Sequence, residues 1–242
     1  MRQGSDTVKR MSLELGGNAP FIVFDDADLD QAIDAVMTSK FRNAGQTCVA
    51  SDRFLVDSTV HDAFVDRLSD RVRSLPVGAG MDPTIKIGPL ITTAAAESVR
   101  AKMVNAIGGG ASCVVGGPEL MDIGPSFVTP TILTDVDRTS ELWSQETFGP
   151  VVAISRFHSE EEAISVANEG KVGLAAYFCA KDAARIFRVA RSIETGMIGV
   201  NEGIISTAVA PFGGVKESGL GREGSSLGIS EYLETKYVLV NC

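Results

Sequence analysis

Residues 20–56 read PFIVFDDADLDQAIDAVMTSKFRNAGQTCVASDRFLV, and this stretch decides the fold. The apolar run at 20–24 is short and stops at Asp25 and Asp26, which reads as a strand. Asp28 is placed to cap a helix in which Leu29, Ile33, Val36, Met37 and Phe41 share one face. Residues 53–56 read as a second short strand. A strand, a helix and a strand in close succession are the repeating unit of an α/β domain.

The alternation continues in both directions. Residues 12–15 read as a strand. A helix is predicted over 59–75, with Val60, Phe64, Leu68, Val72 and Leu75 inward, followed by a loop at 76–89 rich in Gly and Pro. A helix over 92–107 stops at Gly108-Gly109-Gly110. Strands are expected at 112–115, 128–133, 151–157, 174–180 and 197–200. Ser159 and Glu162 make a capping-box pattern for a helix through Asn168, and Asp182 caps another through Ile193. Residues 201–228 are Gly-rich with little periodicity. Residues 236–240 read as a last strand, placed in a different sheet or in an oligomer contact. The fold class predicted is α/β, with a largely parallel sheet flanked by helices.

Composition narrows the function. A chain of 242 residues buries roughly 70–75% of its unfolded surface without a disulfide or metal staple. The net charge of −9 and the lack of a basic cluster argue against nucleic acid. No apolar run reaches the roughly 18–20 residues of a membrane span, and the start has no secretory h-region. Only two histidines occur, His61 and His158, neither near a cysteine nor in a ligand-spaced pair, so no metal site is expected. Four scattered cysteines, Cys48, Cys113, Cys179 and Cys242, fit a reducing, cytoplasmic compartment with at most one cysteine in chemistry. Gly219-Leu220-Gly221-Arg222-Glu223-Gly224 satisfies GxGxxG, but no strand is predicted before it and too little chain follows for a dinucleotide fingerprint. It reads instead as a Gly-rich loop with close backbone approach.

Four segments have a composition odd for plain structure. In LELGGNAP (13–20) a carboxylate, Glu14, sits among apolar residues just before two glycines; an edge-strand Glu facing water is the plain alternative. In FRNAGQTCV (41–49) Cys48 follows a helix ended by Gly45, where backbone N–H groups can favour thiolate and hold an oxyanion; a buried, inert cysteine is the alternative. In QETFGP (145–150) Glu146 and Phe148 are two apart, so an extended backbone points both the same way, one toward a sugar hydroxyl and one toward a flat ring. The alternative there is an ordinary turn. PFGGVKESG (211–219) otherwise reads as a surface loop.

Together, ELGG, GQTC, ExFGP and PFGGxKxSG, in this order and spacing across nearly the whole chain, resemble the aldehyde dehydrogenase family, with wording most like its semialdehyde-oxidising members. The resemblance implies oxidation of an aldehyde to a carboxylic acid, succinate semialdehyde being the expected substrate. Cys48 is then the nucleophile, passing through a thiohemiacetal and a thioester, and Glu14 the general base. The Cys48 N–H serves the oxyanion. Glu146, Phe148, Leu15 and Gly16 face an NAD or NADP cofactor. Arg42 and Ser206 bind the substrate carboxylate, Arg42 as a bidentate, always-charged fork, with Phe212 also at the substrate. Arg42 as a solvated helix-end cation is the plain alternative.

Members of the family are about twice this long, and the part without a counterpart here carries the cofactor domain. The expected division is residues 1–17 as the end of a cofactor-domain region, 18–200 as the catalytic domain, and 201–242 as active-site loop and C-terminal oligomerisation strand. Weak cofactor binding and weak or absent activity of this chain alone follow as expectations, as does a homo-oligomer through residues 236–240. Where some relatives carry a second cysteine, Ala50 stands here, so no local disulfide switch is expected. Two other readings remain open. One is a cofactor-independent thiol esterase or acyl transferase that uses Cys48 and Glu14 alone. The other is a non-catalytic subunit exposing an apolar interaction surface.

Overall fold

The computed structural model describes residues 1–242. In chain order the strands are β1 (Leu13–Glu14), β2 (Ala19–Val23), β3 (Ser51–Asp57), β4 (Ser112–Val115), β5 (Thr131–Thr134), β6 (Val151–Phe157), β7 (Val172–Gly173), β8 (Ala175–Cys179), β9 (Met197–Val200), β10 (Val215–Lys216) and β11 (Gly219–Leu220). The α-helices are α1 (Arg2–Ser5), α2 (Leu29–Phe41), α3 (His61–Arg73), α4 (Thr93–Gly108), α5 (Glu141–Ser144), α6 (Glu160–Asn168) and α7 (Ala183–Ser192).

Seven strands form one sheet in the order β4-β5-β6-β3-β2-β8-β9. Every neighbouring pair is parallel except β4 with β5. The strand–helix–strand unit read at 20–56 is β2–α2–β3, and its two strands are direct neighbours. All five residues of β2 and of β8 are buried, as in parallel strands covered on both faces. Phe21 stacks between Phe54 and Tyr177, tying β2 to its two neighbours. Helices α2, α3 and α4 bury Ile33 and Val36, Phe64 and Leu68, and Val99 and Met103 in the same core. The α/β class and the largely parallel sheet are as predicted.

Three details differ. The strand predicted at 128–133 starts only at Thr131, because Pro130 has no N–H to give a ladder. The α-helix before Cys48 ends at Phe41; a 3₁₀ turn, Arg42–Gly45, follows it. Residues 236–240 form no strand: the chain from 233 to 242 is exposed and pairs with no other strand. A β-rich composition becomes a strand only where another strand takes its N–H and C=O groups, and this chain offers none there. The GxGxxG stretch is no dinucleotide fingerprint. Its first two residues are β11, antiparallel to β1, and only a 3₁₀ turn, Gly228–Tyr232, follows.

The topology fixes where the motifs meet. Gly17 and Asn18 lead into β2, Cys48 into β3, and Thr147 to Pro150 into β6. These strands are parallel neighbours in the order β6-β3-β2, so the three leading segments lie side by side at one edge of the sheet. No helix is long and apolar enough to cross a membrane.

Candidate active site

Cys48 is half-buried in a turn closed by the Ala50 N–H on the Thr47 carbonyl, 3.0 Å. The turn before it is left-handed at Asn43 (φ 52°), Ala44 (φ 54°) and Gly45 (φ 76°). A Cβ at Gly45 would stand 2.3 Å from the Gly149 carbonyl oxygen, so glycine is required by both conformation and contact. This contact joins the Cys48 segment to the end of the Glu146–Phe148 segment. The Cys48 backbone N–H donates to no oxygen of the chain and lies beside its own sulfur, where it can serve an oxyanion.

Glu14 lies exposed in β1, close enough to Cys48 for the two groups to shift each other's pKa. Partial burial raises the Glu14 pKa and the charge of Glu223 raises it further, against that interaction with the thiol. Burial also pushes the Cys48 thiol up, and the Glu14 charge adds to it. The thiol is therefore protonated at neutral pH and needs a base to become a nucleophile. Glu14, whose charge acts on the thiol more strongly than that of Glu146, is the candidate.

Glu146 is half-buried, and its Oε1 accepts the Gly17 N–H at 3.1 Å. Burial raises its pKa, opposed by that same N–H. A Cβ at Gly16 would lie 2.8 Å from Glu146 Oε2, and one at Gly17 would lie 2.6 Å from the Cys48 carbonyl oxygen. The paired glycines thus let Glu146 and the Cys48 backbone close on the chain between β1 and β2. Phe148 is 41% exposed with a left-handed backbone, φ 54°. One carboxylate oxygen fixed on the backbone, with an exposed ring two residues on, suits a ribose hydroxyl beside a flat heterocycle.

Leu15 is 46% exposed, and its N–H donates to the Ser218 carbonyl. Ser218, fully buried, donates from Oγ to the Gly16 carbonyl at 2.8 Å and accepts the Gly173 N–H at 2.9 Å. Sequence reasoning quoted Ser218 within its motif but gave it no role; it fastens the C-terminal loop to the ELGG segment. Tyr177 was also missed. Its hydroxyl donates to the Val49 carbonyl at 2.9 Å, bracing the turn that carries Cys48. A Tyr inside an apolar strand gave no sign of this, because the contact joins residues 128 apart.

The three expected substrate residues are not joined to one another. Arg42 is exposed and has no ion-pair or hydrogen-bond partner for its guanidinium. It lines a cavity of about 340 Å³ with Met37, Phe41, Lys86 and Ile87 among others. Ser206 is exposed in the loop after β9, and its hydroxyl makes no bond. Phe212 is packed against the core, with its backbone paired to Glu223.

A parallel α/β sheet with a cysteine, a glutamate and a second glutamate–phenylalanine pair at its edge defines a class. The chain belongs to the aldehyde dehydrogenase family, whose pattern it matches over residues 1–238. Among its relatives is succinate-semialdehyde dehydrogenase [NADP(+)] GabD of Escherichia coli (strain K12), 50% identical over 99% of this chain and 50% of that protein. Glutarate-semialdehyde dehydrogenase of Pseudomonas aeruginosa is 50% identical over 98% of this chain and 49% of its own length. The crystal structure of succinate-semialdehyde dehydrogenase from Burkholderia pseudomallei superposes with a TM-score of 0.94 at 50% identity, covering 96% of this chain and 48% of that one. The chain spans about half the length of the curated relatives it matches.

Proposed function

We propose that this chain carries the catalytic machinery for NAD(P)-dependent oxidation of a carboxylate-bearing aldehyde, succinate semialdehyde first among them. One observation carries the reading: Gly17 packs against the Cys48 carbonyl and donates its N–H to Glu146, and the Glu14 charge reaches the thiol of that same segment. Glu14 takes the thiol proton as sulfur adds to the aldehyde carbon, giving a thiohemiacetal. The Cys48 N–H donates to the developing oxyanion. A nicotinamide, when bound, would accept the hydride, while Cys48 holds the substrate carbon through the change to a thioester. Once Glu14 has passed the thiol proton to solvent, it deprotonates the water that attacks the thioester, and Cys48 leaves as the thiolate as the acid is released. Glu146 would hold the ribose hydroxyls of the cofactor, Phe148 would pack against its ring, and the backbone at Leu15 and Gly16 would border it. The unpaired Arg42 guanidinium, with Ser206 and Phe212, receives the far end of the substrate. The relatives named for succinate and glutarate semialdehydes support a dicarboxylic semialdehyde.

A second reading is favoured by one fact. Cys48, Glu14 and the Cys48 N–H all belong to this chain, so acyl transfer from an activated ester requires no cofactor. Glu146→Ala separates the two readings. Titration with NAD and NADP, followed by fluorescence of Trp143 three residues away, is expected to give saturable quenching that this variant loses. Quenching that survives in the variant, or none in the parent, overturns the cofactor reading. Ester hydrolysis lost in Cys48→Ala but kept in Glu146→Ala supports the second.

A further inference from the structure

Behind Glu146 lies a buried charge cluster that the proposed chemistry does not use. Lys40, in the last turn of α2, is fully buried and donates from Nζ to Asp52 Oδ1 at 2.7 Å. Asp52, in β3, is 3% exposed, and its Oδ2 accepts the Thr147 N–H at 3.3 Å. Lys102 of α4, also buried, donates from Nζ to the Glu146 carbonyl at 2.6 Å.

The Glu146 carbonyl and the Thr147 N–H are the two ends of one peptide unit. Asp52 grips one end and Lys102 the other. A peptide unit is planar, so holding both ends fixes the rotation of the backbone after Glu146 and before Thr147. That rotation aims the Glu146 side chain toward the Gly17 N–H on one side. On the other it leads into Phe148, whose left-handed backbone is costly and persists only where its surroundings over-determine it. A buried ion pair is weak evidence for stability, since apolar side chains of similar volume often replace one without loss. What an apolar pair does not supply is a directed acceptor for the Thr147 N–H.

We propose that Asp52 and Lys102 are positioning residues that clamp the Glu146–Thr147 peptide and so set the direction of Glu146 and Phe148, with Lys40 there to balance the buried Asp52 charge. This rests on reading those two side chains as facing the cofactor, and it names what holds them. The Gly17 amide is the reporter, because it donates to the Glu146 carboxylate and its resonance follows that carboxylate.

The test compares two double variants in which the ion pair is gone. Lys40→Met with Asp52→Asn keeps one acceptor for Thr147; Lys40→Met with Asp52→Leu keeps none. In ¹⁵N-labelled protein the Leu variant is expected to move the Gly17 amide resonance to where Glu146→Ala puts it. NAD quenching of Trp143 then weakens roughly tenfold, the scale of one lost hydrogen bond to a charged group. The Asn variant keeps the parent resonance and the parent affinity. A folded Leu variant with an unmoved Gly17 amide overturns the proposal. If that variant does not fold, Lys102→Met, which releases the other end of the peptide, carries the same test with the same two outcomes. A Gly17 amide that moves in a protein whose parent shows no response to NAD upholds the clamp and overturns the cofactor reading.

Discussion

At Cys48 the charges of neighbouring side chains set the reactivity. Burial and the Glu14 anion both favour the neutral thiol, so alkylation by iodoacetamide is expected to have its pH midpoint above the ordinary thiol value of about 8.5. Removing the anion removes part of the upward push, so Glu14→Gln lowers that midpoint even as it removes the base. A midpoint that rises or stays put in Glu14→Gln would show that the two groups are not coupled. Cys179, buried in β8 and pushed up to about 12, stays unlabelled over the same range. Gly45 is the second sensitive residue. Gly45→Ala places a Cβ 2.3 Å from a backbone oxygen at φ 76°, and neither the contact nor the dihedral relaxes cheaply. The expected loss is about 2 kcal/mol or more in urea unfolding, on the scale of strained backbone positions. Two local features were legible in the sequence: a cysteine after a glycine, and a carboxylate before two glycines. That the glycines serve contact between segments was not, because each partner atom belongs to a distant part of the chain.

Helices and strands matter here mainly for what they deliver at their ends. Helix α2 brings Lys40 inward in its last turn, and Arg42, two residues on at the start of the 3₁₀ turn, is exposed, so the end of one helix serves both the clamp and the exposed cation. Its cap, Asp28, accepts the Asp30 and Gln31 N–H groups and was readable from the sequence. The capping box at α6 was readable only in part. Ser159 Oγ accepts the Glu162 N–H at 3.1 Å, but the Glu162 carboxylate reaches the His158 N–H rather than that of Ser159, and also takes Arg138. Ser159→Ala is therefore expected to cost about 1 kcal/mol, the usual worth of such a cap, read as a lower urea midpoint at unchanged slope. The C-terminal segment shows the opposite case. Its composition suits a strand, but a strand is a property of two segments, and only one lies in this chain.

At the scale of the whole molecule the active edge is a consequence of strand order. Ligands in open parallel sheets commonly sit at the carboxyl ends of the strands. Here the Cys48, Gly17 and Thr147 segments precede their strands, so the candidate site lies at the amino ends. An exposed apolar run, Tyr237, Val238, Leu239 and Val240, leaves the body of the chain with no cover. The sequence reading expects this run to contact a second copy. Val238→Asp combined with Val240→Asp is then expected to shift the sedimentation coefficient toward a single chain, while Cys48 alkylation continues at the parent rate. An unchanged coefficient in a folded variant would place the oligomer contact elsewhere, or remove it.

The sequence by itself determined the elements and the kinds of chemistry present. Hydrophobic period and capping residues depend on near neighbours, so the strand–helix alternation could be read directly. The family resemblance carried by the motifs pointed to Cys48, Glu14, Glu146 and Phe148. Which of these side chains touch was decided only by the tertiary structure. Strand order β6-β3-β2 places loops from residues 17, 48 and 147 side by side, and nothing within any one loop encodes its neighbours. The same holds for Lys40, Asp52 and Lys102, three ordinary charges in the sequence. They become a clamp only because the core excludes water around them and leaves one peptide unit between them.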